Sequence, residues 1–123
     1  MPHGDLNGRV TLGWLLDFYG GLLTEKQRSV LSMYCEEDLS LSEIAAETGI
    51  SRQGVHEQLT RAAERLNGYE EALGVAARFR DVEDGLRRSL ELLRSQKYDE
   101  AEALLERVLQ REQEENDGLR GLE

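Results

Sequence analysis

The segment Leu41-Ser42-Glu43-Ile44-Ala45-Ala46-Glu47-Thr48-Gly49-Ile50-Ser51-Arg52-Gln53-Gly54-Val55 leaves its backbone few choices. Ser40 and Glu43 form a capping box: the hydroxyl accepts from the third helical amide and the carboxylate reaches back to the cap, while Leu39 can staple onto Ile44. The short helix that starts there ends at Gly49, the residue type that best tolerates positive φ. Ser51 then caps a second helix. Helices joined so tightly cross only over a small side chain, which Ala45 supplies, while Ile50 plugs the turn and Val55 and Leu59 back the second helix from the core side. The spacing predicts a helix-turn-helix over residues 40–67.

The rest of the chain also reads as helix. The one proline is Pro2, and Leu, Glu, Ala and Arg recur throughout, which predicts an all-α fold. Leu12, Leu15, Leu16 and Tyr19 share one face of a helix over residues 10–19, with Trp14 and Phe18 as a second apolar edge. Core packing is the expected role of these rings; any exposed part would anchor a partner or a homodimer contact. Gly20-Gly21 is expected to end this helix through a left-handed residue. Thr24 and Gln27 form another capping box, opening a helix with Val30, Leu31 and Tyr34 on its buried side. Glu36-Glu37-Asp38 reads as a loop. The second helix of the pair runs on to Tyr69 or Leu73.

Further on, Val75, Phe79, Val82, Leu86, Leu90 and Leu93 repeat at intervals of three and four, and after Ser95-Gln96-Lys97 so do Tyr98, Ala101, Leu105 and Val108. Two such stripes on a short connection predict an antiparallel helical hairpin that finishes the core or pairs with a second chain. The expected organisation is a disordered start (1–9), a helix-turn-helix domain (10–75), a C-terminal hairpin (76–111) and a frayed tail (112–123).

Charge restricts function. The net charge is −10, and no basic domain is hidden in it: residues 1–75 hold 6 Lys/Arg against 12 Asp/Glu, and residues 76–123 hold 9 against 13. Nucleic-acid contact must therefore come from a local patch, with modest and salt-sensitive affinity. That patch is the outward side of the second helix, which presents Ser51, Arg52, Gln53, His56, Thr60 and Arg61. Arg and Gln can form bidentate bonds to guanine and adenine edges, and Ser51 can reach a phosphate. Three arginines and two glutamates lie between Ser51 and Leu66, so a weakly positive face is expected.

Catalytic chemistry finds no candidate. There is no phosphate-cradling glycine loop, and His3 and His56 are too isolated for a metal site. Cys35 stands beside Glu36 and Glu37, which oppose a thiolate, so it reads as a small hydrophobe. Glutamates fall at i,i+4 spacing within charged faces, as in Glu83 with Arg87 and Glu102 with Glu106, rather than as a carboxylate dyad. No enzyme activity and no cofactor are expected. A single cysteine, no signal peptide and no apolar run long enough to span a bilayer predict a cytoplasmic protein without a membrane partner.

Several blocks also occur in a meaningful order: Leu15-Leu16-Asp17-Phe18-Tyr19-Gly20, Leu22-Leu23-Thr24-Glu25-Lys26-Gln27, Glu37-Asp38-Leu39-Ser40-Leu41, Glu43-Ile44-Ala45 and Ile50-Ser51-Arg52-Gln53. Over residues 10–75 they resemble the YlxM family, small bacterial helix-turn-helix proteins similar to the region-four module of sigma factors. Members are typically encoded beside genes of the signal recognition particle, its GTPase and its receptor. The resemblance implies a regulatory or accessory role in that targeting pathway, with the particle RNA or the GTPase as partner. Gly54 stands where the family commonly has alanine, and Thr60 where a basic residue is frequent. Past residue 76 the match fades, and Lys97-Tyr98-Asp99-Glu100-Ala101 resembles the second helix of a tetratricopeptide repeat, although one pair cannot build a solenoid. A DNA-binding transcription regulator using Arg52 and Gln53, and a protein-binding adaptor, remain open alternatives, as does a homodimer through the N-terminal or C-terminal helices.

Overall fold

A computed structural model describes residues 5–120, and helices are the only regular elements among them. The chain divides into two compact units between Ala76 and Ala77. The first holds α1 (Asp5–Tyr19), a 3₁₀ turn (Gly20–Leu22), α2 (Glu25–Cys35), α3 (Leu41–Thr48) and α4 (Arg52–Leu73). The second is built from α5 (Val75–Arg94), whose first two residues belong to the first unit, and α6 (Tyr98–Arg120).

The N-terminal unit has two apolar clusters. Leu15, Leu16, Tyr19, Leu23, Leu31, Ala62, Leu66 and Ala76 form the larger, with Trp14, Phe18 and Cys35 half-buried against it. Val30, Ile44 and Val55 form the smaller, covered by Leu39, Ala45 and Ile50 among others. Trp14 and Phe18 meet edge to face at 5.5 Å, so the rings serve the core as expected. Both capping boxes close: Gln27 N donates to Thr24 Oγ1 (3.1 Å) and Thr24 N to Gln27 Oε1 (3.2 Å), while Glu43 N donates to Ser40 Oγ (3.1 Å) and Ser40 N to Glu43 Oε1 (2.8 Å). These bonds hold the Glu43 carboxyl below the usual carboxylate range.

Three expectations need correction here. Residues 5–9 are not a loose lead, because α1 already begins at Asp5; residues 1–4 lie outside the described residues. The Arg9 guanidinium lies 4.0 Å from the Tyr34 ring centroid and bonds the Asp38 carboxylate, a tertiary hold that local composition does not reveal. Gly20 and Gly21 do not take positive φ; among the described residues the left-handed glycines are Gly49 and Gly74. Gly20 instead permits close packing, since a Cβ there would meet Leu16 Cδ1 at 3.1 Å. The 112–123 tail is not frayed up to its last turn, for α6 continues to Arg120; residues 121–123 lie outside the described residues.

A buried polar clasp closes the unit. Tyr19 is 3% exposed; its hydroxyl donates to Glu70 Oε1 and accepts from Val75 N at 3.1 Å, and Ala76 N donates to the same carboxylate oxygen at 3.0 Å. Burial, then the Glu70 bond, pushes the Tyr19 phenol above its ordinary pKa. One phenol and one carboxylate thus satisfy the first amides of α5, which a helix start leaves without partners.

In the C-terminal unit α5 and α6 run antiparallel, with Arg78 on Glu112 (2.7 Å), Arg111 near Asp81 (4.0 Å) and Gly85 facing Val108. The contact line takes in only part of the apolar stripes, namely Ala101 and Val108 of α6. It runs through Gly85, Ser89, Ala101 and Leu104, all buried, while Phe79, Leu86, Leu90, Leu93, Tyr98 and Leu105 are exposed. The reason is steric. A Cβ at Gly85 would collide with Val108, so the helices approach over their small residues and the stripe of large ones is turned aside.

Candidate nucleic-acid interface

The helix-turn-helix pair is α3 and α4. α3 ends at Gly49 with φ of 78°, and Gly49 N returns to Ala45 O at 2.9 Å. Ser51 then caps α4 by accepting from Gly54 N at 3.0 Å. Ile44 and Val55 are both fully buried, and this fixes the rotation of α4 about its axis. With Val55, Ala62 and Leu66 inward, helical spacing turns the opposite side to solvent. Ser51, Arg52, Gln53, His56, Thr60 and Arg61 are all exposed there.

Their hydrogen bonding leaves capacity for a ligand. Ser51 uses an acceptor lone pair in the cap and keeps its O–H to donate. Thr60 donates to His56 O at 2.9 Å and keeps its acceptor sites. The first turn of α4 also offers amide dipoles that favour a phosphate.

The face is not weakly positive, as composition had suggested. Arg65 is drawn off it: Nη2 donates to Tyr69 Oη at 2.9 Å and Nη1 to Gln27 Oε1 at 3.4 Å, tying α4 to α2. What remains is Arg52 and Arg61 against Glu57 and Glu64, all exposed. The charge is balanced. Glu57 is also a member of this surface, standing four residues after Gln53 and four before Arg61. It opposes phosphate and is suited to accept from a donor such as a cytosine amino group.

Gly54 acquires a structural role as well. A Cβ at this position would sit 2.7 Å from Ile50 Cγ2 and 3.1 Å from Ser51 Oγ, so the glycine lets Ile50 tuck under the start of α4. Gly54→Ala is therefore expected to lower stability by about 1 kcal/mol, despite alanine's better helix propensity, because the collision with a stiff β-branched side chain outweighs it. Thermal unfolding of the two proteins checks this; a raised melting temperature would contradict it.

Among the described residues no group of three or more His, Cys, Asp or Glu could hold a metal ion. The half-buried Cys35 thiol is pushed up to about 11, chiefly by burial and further by Glu36, with Arg9 opposing. That disfavours the thiolate. No helix among the described residues is long and apolar enough to cross a membrane.

Comparison with known proteins adds a family. The sequence model of UPF0122, described as "Putative helix-turn-helix protein, YlxM / p13 like", matches residues 6–107. A UPF0122 protein of Desulforamulus reducens is 37% identical over 107 residues, covering 81% of this chain and 92% of the relative. One from Bacillus pumilus is 42% identical over 102 residues, covering 82% and 93%. Another, from Caldanaerobacter subterraneus, is 48% identical over 68 residues, covering 55% and 58%.

Proposed function

We propose that this chain, which belongs to the UPF0122 family of YlxM/p13-like helix-turn-helix proteins, is a regulatory protein that binds nucleic acid through the first turns of α4 and acts by binding rather than by catalysis. The observation that carries this reading is the presentation of Ser51, Arg52, Gln53, His56, Thr60 and Arg61 on one exposed side of a helix whose rotation is fixed by Val55. The pathway we assign is protein targeting by the signal recognition particle, with the particle RNA as ligand and its GTPase as the protein it acts beside. This rests on the resemblance of the blocks from Leu15 to Gln53 to proteins encoded next to those components.

The balance of charge favours a ligand held by a few contacts rather than an operator gripped through many phosphates. Titration of the full chain with labelled hairpin RNA and duplex DNA at rising salt tests this. Binding is expected to weaken with a log–log slope of about −2 to −3, as for two or three phosphate contacts. No binding to either probe at low salt would overturn the nucleic-acid reading.

Glu57→Gln sharpens the test. Removing the carboxylate from between Gln53 and Arg61 is expected to tighten non-specific binding severalfold at low salt, with little change near physiological salt, where an exposed charge is screened over about 8 Å. Unchanged low-salt binding would remove this face from the interface.

A further inference from the structure

We infer that the C-terminal hairpin is half of a four-helix bundle completed by the hairpin of a second copy of this chain. Leu86, Leu90 and Leu93 on α5 and Tyr98, Leu105 and Leu109 on α6 are between 38% and 61% exposed. The contact line of the pair runs through Gly85, Ser89, Ala101 and Leu104. Measured from that line, helical spacing at about 100° per residue carries both sets to the same side of an antiparallel hairpin. The result is one continuous apolar face on a two-helix layer, larger than the scattered apolar residues a monomer surface carries. A matching layer covers it in a four-helix bundle.

Charge at the edges of this face identifies the occupant as a second copy. The outer edge of α5 carries Arg87 and Arg94, and that of α6 carries Asp99, Glu102 and Glu106, all exposed. The hairpin register, set by Gly85 opposite Val108, puts Arg87 level with Glu106 and Arg94 level with Asp99, but at opposite edges of one layer. A twofold axis parallel to the helices lays α5 of one copy beside α6 of the other without changing level. Arg87 then meets Glu106 of the second copy and Arg94 meets Asp99, twice over by symmetry. The Arg87–Glu83 pair at 3.3 Å is exposed and weak enough to be shared or exchanged, and Glu83 itself falls level with the uncharged Gln110. A twofold axis across the helices would instead set α5 against α5, with the arginines of one edge facing their own kind. The edge charges select the first arrangement.

This inference does not rest on nucleic-acid binding by α4. Sedimentation equilibrium of the full chain at micromolar concentration tests it, with twice the 14.0 kDa chain mass as the expected result. Leu86→Glu with Leu90→Glu should give a monomer of unchanged helicity, because both positions are solvent-exposed in the single chain. Arg87→Glu with Arg94→Glu should raise the dimer dissociation constant about tenfold or more, and adding Asp99→Arg and Glu106→Arg to the same chain should restore it. A wild-type monomer, or a dimer indifferent to Leu86→Glu with Leu90→Glu, overturns the proposal; charge reversal without rescue overturns the arrangement within the dimer.

Discussion

Replacing Arg52 and Arg61 together by alanine is expected to leave the far-ultraviolet circular dichroism and the melting temperature unchanged, yet to lower nucleic-acid affinity by about a hundredfold. Both side chains are exposed on α4, so folding loses little. Binding loses two cationic contacts, each on the order of 1–3 kcal/mol when it reaches a base edge and less at a phosphate. The slope of affinity against salt should shrink by about 2 at the same time if both contacts are to phosphate. Fluorescence anisotropy with the wild-type and doubly substituted chains reads both quantities. Equal affinities would mean that α4 is not the binding surface.

The second large effect concerns the base of that surface. Ile44 is fully buried and forms the smaller core cluster with Val30 of α2 and Val55 of α4. Ile44→Ala removes the residue that joins all three helices and opens a cavity beneath the turn. The expected loss is about 3 kcal/mol, within the range measured for such truncations. For a unit of this size that corresponds to a fall of about 15 °C in melting temperature. Binding through α4 should fall with it at temperatures where the mutant is still folded, because the turn loses its internal support. Thermal and urea unfolding measure the first effect, and a loss under 1 kcal/mol would contradict the part assigned to Ile44.

How much of this was legible in the sequence varies with the range of the interaction. Both capping boxes, the stop at Gly49 and the cap at Ser51 were readable because each is decided by residues three or four apart. The outward placement of Ser51, Arg52, Gln53, His56, Thr60 and Arg61 followed from Val55 and Leu59 by spacing alone. Longer-range features were not readable. Nothing near Arg9 announces Tyr34 and Asp38, so the helical start of α1 was missed. Gly20 resembled a stop signal because glycine serves both positive φ and close approach, and only the packed partner Leu16 separates the two uses. Arg65 was counted toward the reading face until Tyr69 and Gln27 accounted for it. In the hairpin, hydrophobic periodicity located an apolar face correctly but did not say which face meets which helix. Gly85, invisible to a hydrophobicity pattern, decides that contact by its small size.

Affinity purification of the tagged full chain from its own cells, after mild crosslinking, can identify bound RNA, DNA and protein together. Enrichment of the signal recognition particle RNA is expected, with its GTPase in the same fraction, and loss of the RNA when Arg52 and Arg61 are alanine. Recovery of discrete DNA loci without the particle, or of the same partners from the doubly substituted chain, would contradict the proposed function.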